Sequence, residues 1–570
     1  MKFATCLPKG MVDSIKAEMT DAKVTELILM SSKERRAYFT KILGSEEHAI
    51  FLNQNFEKSI VAKNQLLSIK NLMAKVTGLK PETRRDMIAK VERMTAQGIM
   101  QPAEVDLFLA DLAEQKLGVA ITPQEAQNLS ELAKIAETRR GLVTDWSEKG
   151  VNSLPMQYGR AKVAFDNYIN QLKDEANGIH LSTFKEHPVK AVKQLLAEIP
   201  GTTKAAKSSM DHSALFNQGW AMLCTHPTIW AKNALISTKA IVQSLGGKEV
   251  MDEFNAMVAS DELAINGTFR AMELDVYGVR EESYPTSIPQ KIPILGRFYK
   301  ASEVGFVLFN QKNRFDAAKM YYKIAKKSGV DITNKRELLQ IGRMCNSLTA
   351  RGHLGKLEPV ASTINNVFFS PRRLVGLWDV LTMHGFRKDV TPFVRKQAAW
   401  NLLKIVMATS AILVIAKSLD DKSVDWDPRS ANFGKIKVRN TRFDVSGGMA
   451  SLVVLASRFG ARSTKSSITG KITELNSGEW GSMTVLDVIV NFFMNKLSPI
   501  AGTFADFFFE GEDFNGDKPT IEGAAADLLL PLGIQNDFEA MKDPKSADTL
   551  AVVIADALGI STNTYGKRSK

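Results

Sequence analysis

Apolar residues recur at helical spacing along most of this chain. In 80–94, Met87, Ile88, Val91 and Met94 fall on one face of a predicted helix that follows Pro81 and ends at Gly98. Pro102 sits early in the next predicted helix, where a missing N–H is harmless. Val105, Phe108, Leu109 and Leu112 form its stripe and Gly118 stops it. Thr122-Pro-Gln-Glu125 reads as a capping box, so a third helix is expected to run to about Arg140, with Gly141 just past its end. Ser31-Ser-Lys-Glu34 is a second helix-start signal, and 46–76 fits one extended helix.

The pattern weakens between Gly141 and Pro155, returns over 156–200, and breaks at Pro200-Gly-Thr-Thr. An apolar segment around Trp220, Met222 and Trp230 is interrupted by His226-Pro227. Pro285, Pro289 and Pro293 forbid a regular helix over 283–296, which reads as a linker, and helices resume at about Phe298 and run through Lys327. The best strand signal is 435–445, where Ile436, Val438, Phe443 and Val445 alternate with polar residues around Arg-Asn-Thr. It predicts a β-hairpin with Asn440 supplying the positive φ of the turn.

The most apolar run is Ala398–Ala416. Its uncharged part, Ile405–Ala416, has 12 residues, against the roughly 20 a full span needs. Two readings stand at this point. One is a buried helix of a bundle. The other is membrane insertion or interfacial binding through Trp400, Leu403, Ile405, Val406, Ile412, Leu413, Val414 and Ile415, with Lys404 snorkelling at one end. The expected fold is therefore mainly α, of elongated multi-helical bundles with one small β-hairpin near 435–446. The expected divisions are an N-terminal helical domain (1–145), a middle helical region (146–282), a Pro-rich linker (283–297), a domain with basic helices, the apolar helix and the hairpin (298–540), and a C-terminal helix and tail (541–570).

Charge changes the picture at one place. The formal net charge of the 570 residues is +12, yet 291–420 holds 22 Lys/Arg against 8 Asp/Glu. That stretch ends where the apolar run ends. Cations beside an apolar segment suit an anionic surface, phospholipid or nucleic acid, and Arg372, Arg373, Arg387, Lys388, Arg395, Lys396 and Lys404 are the candidates. A solvated helix face explains the same residues. Cys6, Cys224 and Cys345 are few and far apart, which suits a reducing compartment, and the first residues lack the apolar core of a secretory signal.

Candidate chemistry adds little. His212, Cys224 and His226 cluster without zinc-like spacing and read as structural. Ser467-Ile-Thr-Gly-Lys471 lacks the first glycine and the final hydroxyl of a phosphate loop, and Asp513-Phe-Asn-Gly-Asp517 lacks the terminal Glu of a calcium loop. Asp420, Asp421, Asp425 and Asp427 read as a helix end, a weak cation site or a solvated cluster, the last preferred. Glu510 and Glu512 beside Phe507-Phe-Phe509 are nominal acids for a wall hydrolase, with nothing to single them out. No catalytic, cofactor or metal residue is assigned.

Arg351-Gly-His-Leu-Gly, Ile364-Asn-Asn-Val-Phe-Phe-Ser-Pro-Arg372, Asn432-Phe-Gly-Lys-Ile-Lys-Val-Arg-Asn-Thr-Arg-Phe-Asp444, Ser466-Ser-Ile-Thr-Gly470, Asn495-Lys-Leu-Ser-Pro499 and Asp513-Phe-Asn-Gly516 carry a resemblance. From about Phe298 to Leu532 the chain resembles a large polyvalent-protein-associated domain of tailed phages and prophages. Arg35-Arg-Ala-Tyr38, Lys63-Asn-Gln65 and Pro102-Ala-Glu104 are similar to its companion region. The resemblance transfers no catalytic residue. It implies a non-enzymatic internal virion protein of the ejection type, resident in the virion interior and found in the host cytoplasm or envelope after ejection. Its expected partners are phage DNA and/or the host membrane, other virion proteins, and further copies of itself. A host-interaction protein outside the virion and a cell-wall hydrolase or protease with an unrecognised site are the alternatives.

Overall fold

The computed structural model describes residues 30–54, 122–146, 153–177, 214–277, 295–387, 390–478 (Ile468 excepted), 482–498 and 549–564, together with Leu27, Phe56, His212 and Ala501. The predicted helices over 80–94 and 102–118, most of 46–76, the linker prolines, the Asp513 loop, Glu510 and Glu512 fall outside the described residues. The chain forms two compact units, one of residues 1–178 with 255–261, the other of 179–254 with 262–570.

In the first unit, α1 (Ser32–Leu43) begins at the expected capping box. Ser31 accepts from the Glu34 amide, and the Glu34 carboxylate accepts from Ser31 N–H at 2.8 Å. Gly44, at φ 63, ends it. Phe39 and Leu43 bury against Leu27, Ala49 and Leu52, and the buried Arg35 ties this small core to Asn53 Oδ1 (3.2 Å) and Leu27 O (3.2 Å). The second expected box is also present, with Thr122 N–H donating to Glu125 at 2.7 Å. However, α2 (Pro123–Trp146) does not stop at Arg140. Gly141 lies within the helix, because a glycine disfavours a helix interior by only about 1 kcal/mol and packing against α3 (Ser153–Asn177) outweighs that. Asn128 meets Tyr168 (3.4 Å) and Arg139 meets Gln157 O (3.1 Å), so α2 and α3 are antiparallel. Ser153–Asn177 thus belongs with the N-terminal helices, and the expected middle region is shared between the units.

The second unit opens with a π-turn (Ala214–Gln218), α4 (Trp220–Thr225) and α5 (Pro227–Leu245), broken at His226-Pro227 as the sequence indicates. Residues 250–254 of α6 (Val250–Ala259) belong to this unit and the rest of α6 to the first; apart from short helical turns, α7 (Leu295–Lys327), α8 (Lys335–Leu348), α9 (Pro371–Leu381) and α10 (Pro392–Leu419) follow. The strands β1 (Lys435–Val438) and β2 (Thr441–Asp444) precede α11 (Met449–Ala461). β3 (Ser463–Lys465), β4 (Ile472–Glu474), α12 (Val485–Met494), α13 (Thr549–Leu558) and β5 (Thr562–Thr564) complete it. The protein is mainly α, as expected.

α7 is the axis of this unit and is buried on nearly every side from Ala301 to Ala318. Residues of α5 with small or polar side chains, Asn233, Ser237, Ala240 and Ser244, are buried along one face, and the two helices pack closely. Lys300–Glu249 (2.7 Å) and Asn233–Asn313 (3.3 Å) show that they run antiparallel. Three polar side chains buried along α7 bond to neighbours: Asn310 to Gln218 (2.6 Å), Lys312 to Asp316 (2.6 Å), and Arg314 Nε to Thr349 (2.7 Å). Asp275 accepts from Arg351 at 2.7 Å.

The hairpin forms where expected, with Lys435 opposite Asp444 and Val438 opposite Thr441. Its turn differs in one respect: Arg439, at φ 54, takes the left-handed position and Asn440 does not. β5 extends the hairpin to three strands, and β3 and β4 form a separate pair that holds Ser467-Ile-Thr-Gly-Lys471 as its connection. These polar three-residue strands carry no alternation for sequence reasoning to detect.

Two glycines test the packing. A Cβ at Gly342 of α8 would lie 1.9 Å from Met272 O, whereas Gly141 has open space around it. In chemical denaturation, Gly342→Ala is expected to lower stability by about 2 kcal/mol or more, while Gly141→Ala raises it by roughly 0.5–1 kcal/mol.

Candidate membrane-contact face

Helix α10 is specified at both ends. The Thr391 side chain accepts from Val394 N–H at 3.4 Å and Pro392 occupies the first turn. Asp420 closes the helix, its amide donating to Ala416 O at 3.1 Å. The 28 residues span about 42 Å at 1.5 Å per residue. Length is therefore not limiting, because the helix extends past the uncharged run in both directions.

The two faces of α10 are inverted relative to an ordinary surface helix. Val394, Ala398, Asn401, Ile405 and Leu413 are buried, at the spacing of one helical stripe. Polar bonds anchor that stripe. The Tyr321 hydroxyl donates to Asn401 Oδ1 (3.0 Å) and accepts from Asn401 Nδ2 (2.7 Å). Trp220 Nε1 donates to Thr409 (3.2 Å), and the Thr391 hydroxyl donates to Glu337 (2.8 Å). The opposite face is apolar and faces outward: Trp400, Leu403, Val406, Met407, Ile412, Val414 and Ile415 are all at least one-third exposed, and Leu419 is 84% exposed. An 18-residue window of α10 has a mean hydropathy of 1.9, and only 11% of it is buried. A soluble surface helix does the reverse, with polar residues outward. Each half-exposed large side chain forgoes roughly 1 kcal/mol of burial.

The buried-bundle reading of the run thus fails for its outer face. Of the eight sequence candidates for bilayer contact, Ile405 and Leu413 point into the protein, and Trp400, Leu403, Val406, Ile412, Val414 and Ile415 point out. Sequence reasoning missed Met407 and Leu419. The available signal was the phase of Asn401 and Thr409, which mark the protein-facing side. Exposed apolar side chains also occur at α9 and just past its end, where Trp378 stacks on Phe386 (centroids 5.7 Å apart), with Phe386 78% exposed.

The basic candidates divide in the same way. Arg372 pairs with Glu358. Arg387 forms a two-pronged pair with buried Asp379 (2.8 and 2.7 Å) and also donates to His353 O. Arg373 donates to Asn217 and Gly447. These three serve internal acceptors, so an outward anionic contact is left to Arg395 and Lys396, exposed near the N-terminal end of α10, and to Lys404, exposed near its middle. Lys404 makes a long contact with Thr225 O (3.4 Å). Lys388 lies outside the described residues.

The other clusters are accounted for by bonding. His212 meets the Ser237 hydroxyl (3.0 Å), and His226 bridges Thr225 (2.8 Å) and Tyr321 (3.3 Å). Burial pushes both imidazoles down to about 4, with Lys404 adding to the effect at His226. Burial pushes the Cys224 thiol up to about 12 and the Cys345 thiol up as well. Among the described residues no group of His, Cys, Asp and Glu could hold a metal ion. The aspartates after α10 are not simply solvated. Asp420 ends the helix, Asp425 pairs with Lys465 (2.9 Å), and Asp427 with Arg429 (2.8 Å). Only Asp421, 88% exposed beside Lys417, fits the solvated reading.

No family model matches the chain, and neither a curated protein nor a solved structure matches it. What the fold and the face define is a mainly helical protein that presents an apolar helix on a polar anchor.

The histidines give a pH prediction. Their folded pKa values lie below the ordinary 6.5, so the unfolded chain binds more protons between about pH 6.5 and 4. Their contribution to stability is complete above that window and is lost as pH falls through it. His226→Gln is expected to reduce the drop in urea midpoint between pH 7 and 4.5 relative to the parent protein; equal drops would exclude His226 as a source.

Proposed function

We propose that this is a non-enzymatic internal virion protein of a tailed phage, of the ejection type, released with the genome and assisting its passage across the host envelope. The observation that carries this reading is the outward apolar face of α10 on its polar anchor. Insertion of that face into a bilayer removes Val406, Met407, Val414 and Ile415 from water while the Asn401–Tyr321 pair stays in the protein. Trp400 suits the headgroup level. Arg395 and Lys396 lie toward the same end, with Lys404 one turn past Trp400, and suit phosphate oxygens, each worth about 1 kcal/mol against an anionic leaflet. The surplus of cations over 291–420 favours storage against DNA before release. The phage assignment itself rests on the resemblance of 298–532.

Flotation with liposomes containing phosphatidylglycerol tests the membrane part. The full chain should float, and Val406→Asp with Ile415→Asp should cut binding by more than tenfold, since a charge in the apolar layer costs about 3 kcal/mol. Ile405 and Leu413 face inward, so their conservative replacement by Val should leave binding unchanged. Mass spectrometry of purified virions tests the rest: absence from the particle removes the ejection role and leaves a host-interaction protein.

A further inference from the structure

Three stretches far apart in sequence meet beside the start of α9. Phe369 N–H donates to Lys496 O (2.9 Å), and Ser498 ties back to Val367 O (2.7 Å) and Asn366 O (2.6 Å). Arg373 Nη2 reaches Gly447 O (2.7 Å) and Asn217 O (3.2 Å), and it also bonds the Asn217 side-chain oxygen. The acceptors of this guanidinium are therefore neutral. Its Nε is closed off from solvent and has no acceptor. The Lys496 ammonium is 5.7 Å from the Phe492 ring, and no ion pair is made to it among the described residues.

The local charge does not balance. Asp444 is the acid whose charge reaches both Arg373 and Lys496. Its Oδ1 is already taken by Ser446 N–H (2.8 Å) and the Ser446 hydroxyl (2.6 Å). Lys435, opposite Asp444 in the hairpin, adds a third cation. A buried donor without an acceptor, among cations that outnumber acids, favours the binding of an anion. The backbone is also special here. Ser370 sits at φ 110, ψ 62, a conformation that costs on the order of 1–3 kcal/mol and concentrates at functional sites. A Cβ at Gly448 would lie 2.7 Å from Arg373 Nη2, so the glycine admits the guanidinium.

We propose that Arg373 and Lys496 form a binding site for a phosphate group, with Arg373 Nε and the Lys496 ammonium as its donors. A tetrahedral oxyanion supplies the acceptor that Nε lacks and the negative charge that the cluster lacks. Burial and the positive charges of Arg373 and Lys435 pull Lys496 down to about 8, against the opposing pull of Asp444, and a bound anion relieves that. The site stands apart from the membrane reading, because its residues lie on α9, the hairpin and the end of α12 and not on α10.

Titration calorimetry of the full chain, in about 0.15 M salt to screen diffuse binding, tests it with inorganic phosphate and, separately, with monomeric dihexanoyl phosphatidylglycerol. Binding of either is expected to weaken about tenfold or more in Lys496→Met and to recover in Lys496→Arg, with unchanged circular dichroism. Binding of phosphate alone marks a free-anion site; binding of the lipid marks a headgroup site. Arg373→Met should act in the same direction, but Arg373 also ties loops together, so the partly exposed Lys496 is the deciding position. Failure of both ligands to bind, or binding that ignores Lys496→Met, overturns the proposal.

Discussion

The pair of hydrogen bonds between Asn401 and Tyr321 sets the orientation of the helix on which the account depends. A buried amide must be bonded, and leaving one unpaired costs about 1–3 kcal/mol. Tyr321 is itself fixed on α7, the buried axis of its unit. Once Asn401 faces Tyr321, the helical period turns Trp400, Leu403, Met407 and Val414 away from the protein. The exposed face is thus a consequence of where the polar residues must go. The Trp220–Thr409 bond, two turns further along, reinforces the same rotation.

The same logic runs through the rest of the unit. α7 carries Asn310, Lys312, Asn313 and Arg314 in its most buried stretch, and each has a bonded neighbour supplied by α5, by the π-turn, by its own helix or, for Arg314, by Thr349 at the end of α8. Such polar contacts inside a helical core specify a register more than they add stability. Arg373 has neutral acceptors only, and its Nε has none. Bonded polar groups set the packing here, and the cationic cluster of Arg373 and Lys496 is the place proposed for a ligand.

Much of the helical framework was legible in the sequence because its signals are local. Ser31–Glu34 and Thr122–Glu125 cap helices by contacts within four residues, and His226-Pro227 breaks one for reasons carried by proline itself. Gly141 misled, because tertiary packing outweighed a weak propensity. The site was only half legible. Periodicity found the apolar run, but burial depends on partners far away in sequence, such as Trp220 for Thr409, 189 residues apart. Likewise the excess of cations was visible, yet nothing local shows that Arg387 faces Asp379 or that Arg373 meets Gly447 while Arg395 and Lys396 do not turn inward.

The central claim is that the outer face of α10 enters a bilayer while its inner face stays on the protein. An environment-sensitive fluorophore on single cysteines tests this directly, in a Cys6→Ser background, since burial suppresses the Cys224 and Cys345 thiols. With phosphatidylglycerol vesicles, labels at Val406 and Ile415 should shift to the blue and be quenched by spin-labelled acyl chains, while a label at Arg395 should report only the headgroup region. Unchanged spectra at Val406 and Ile415 in the presence of vesicles would contradict the account.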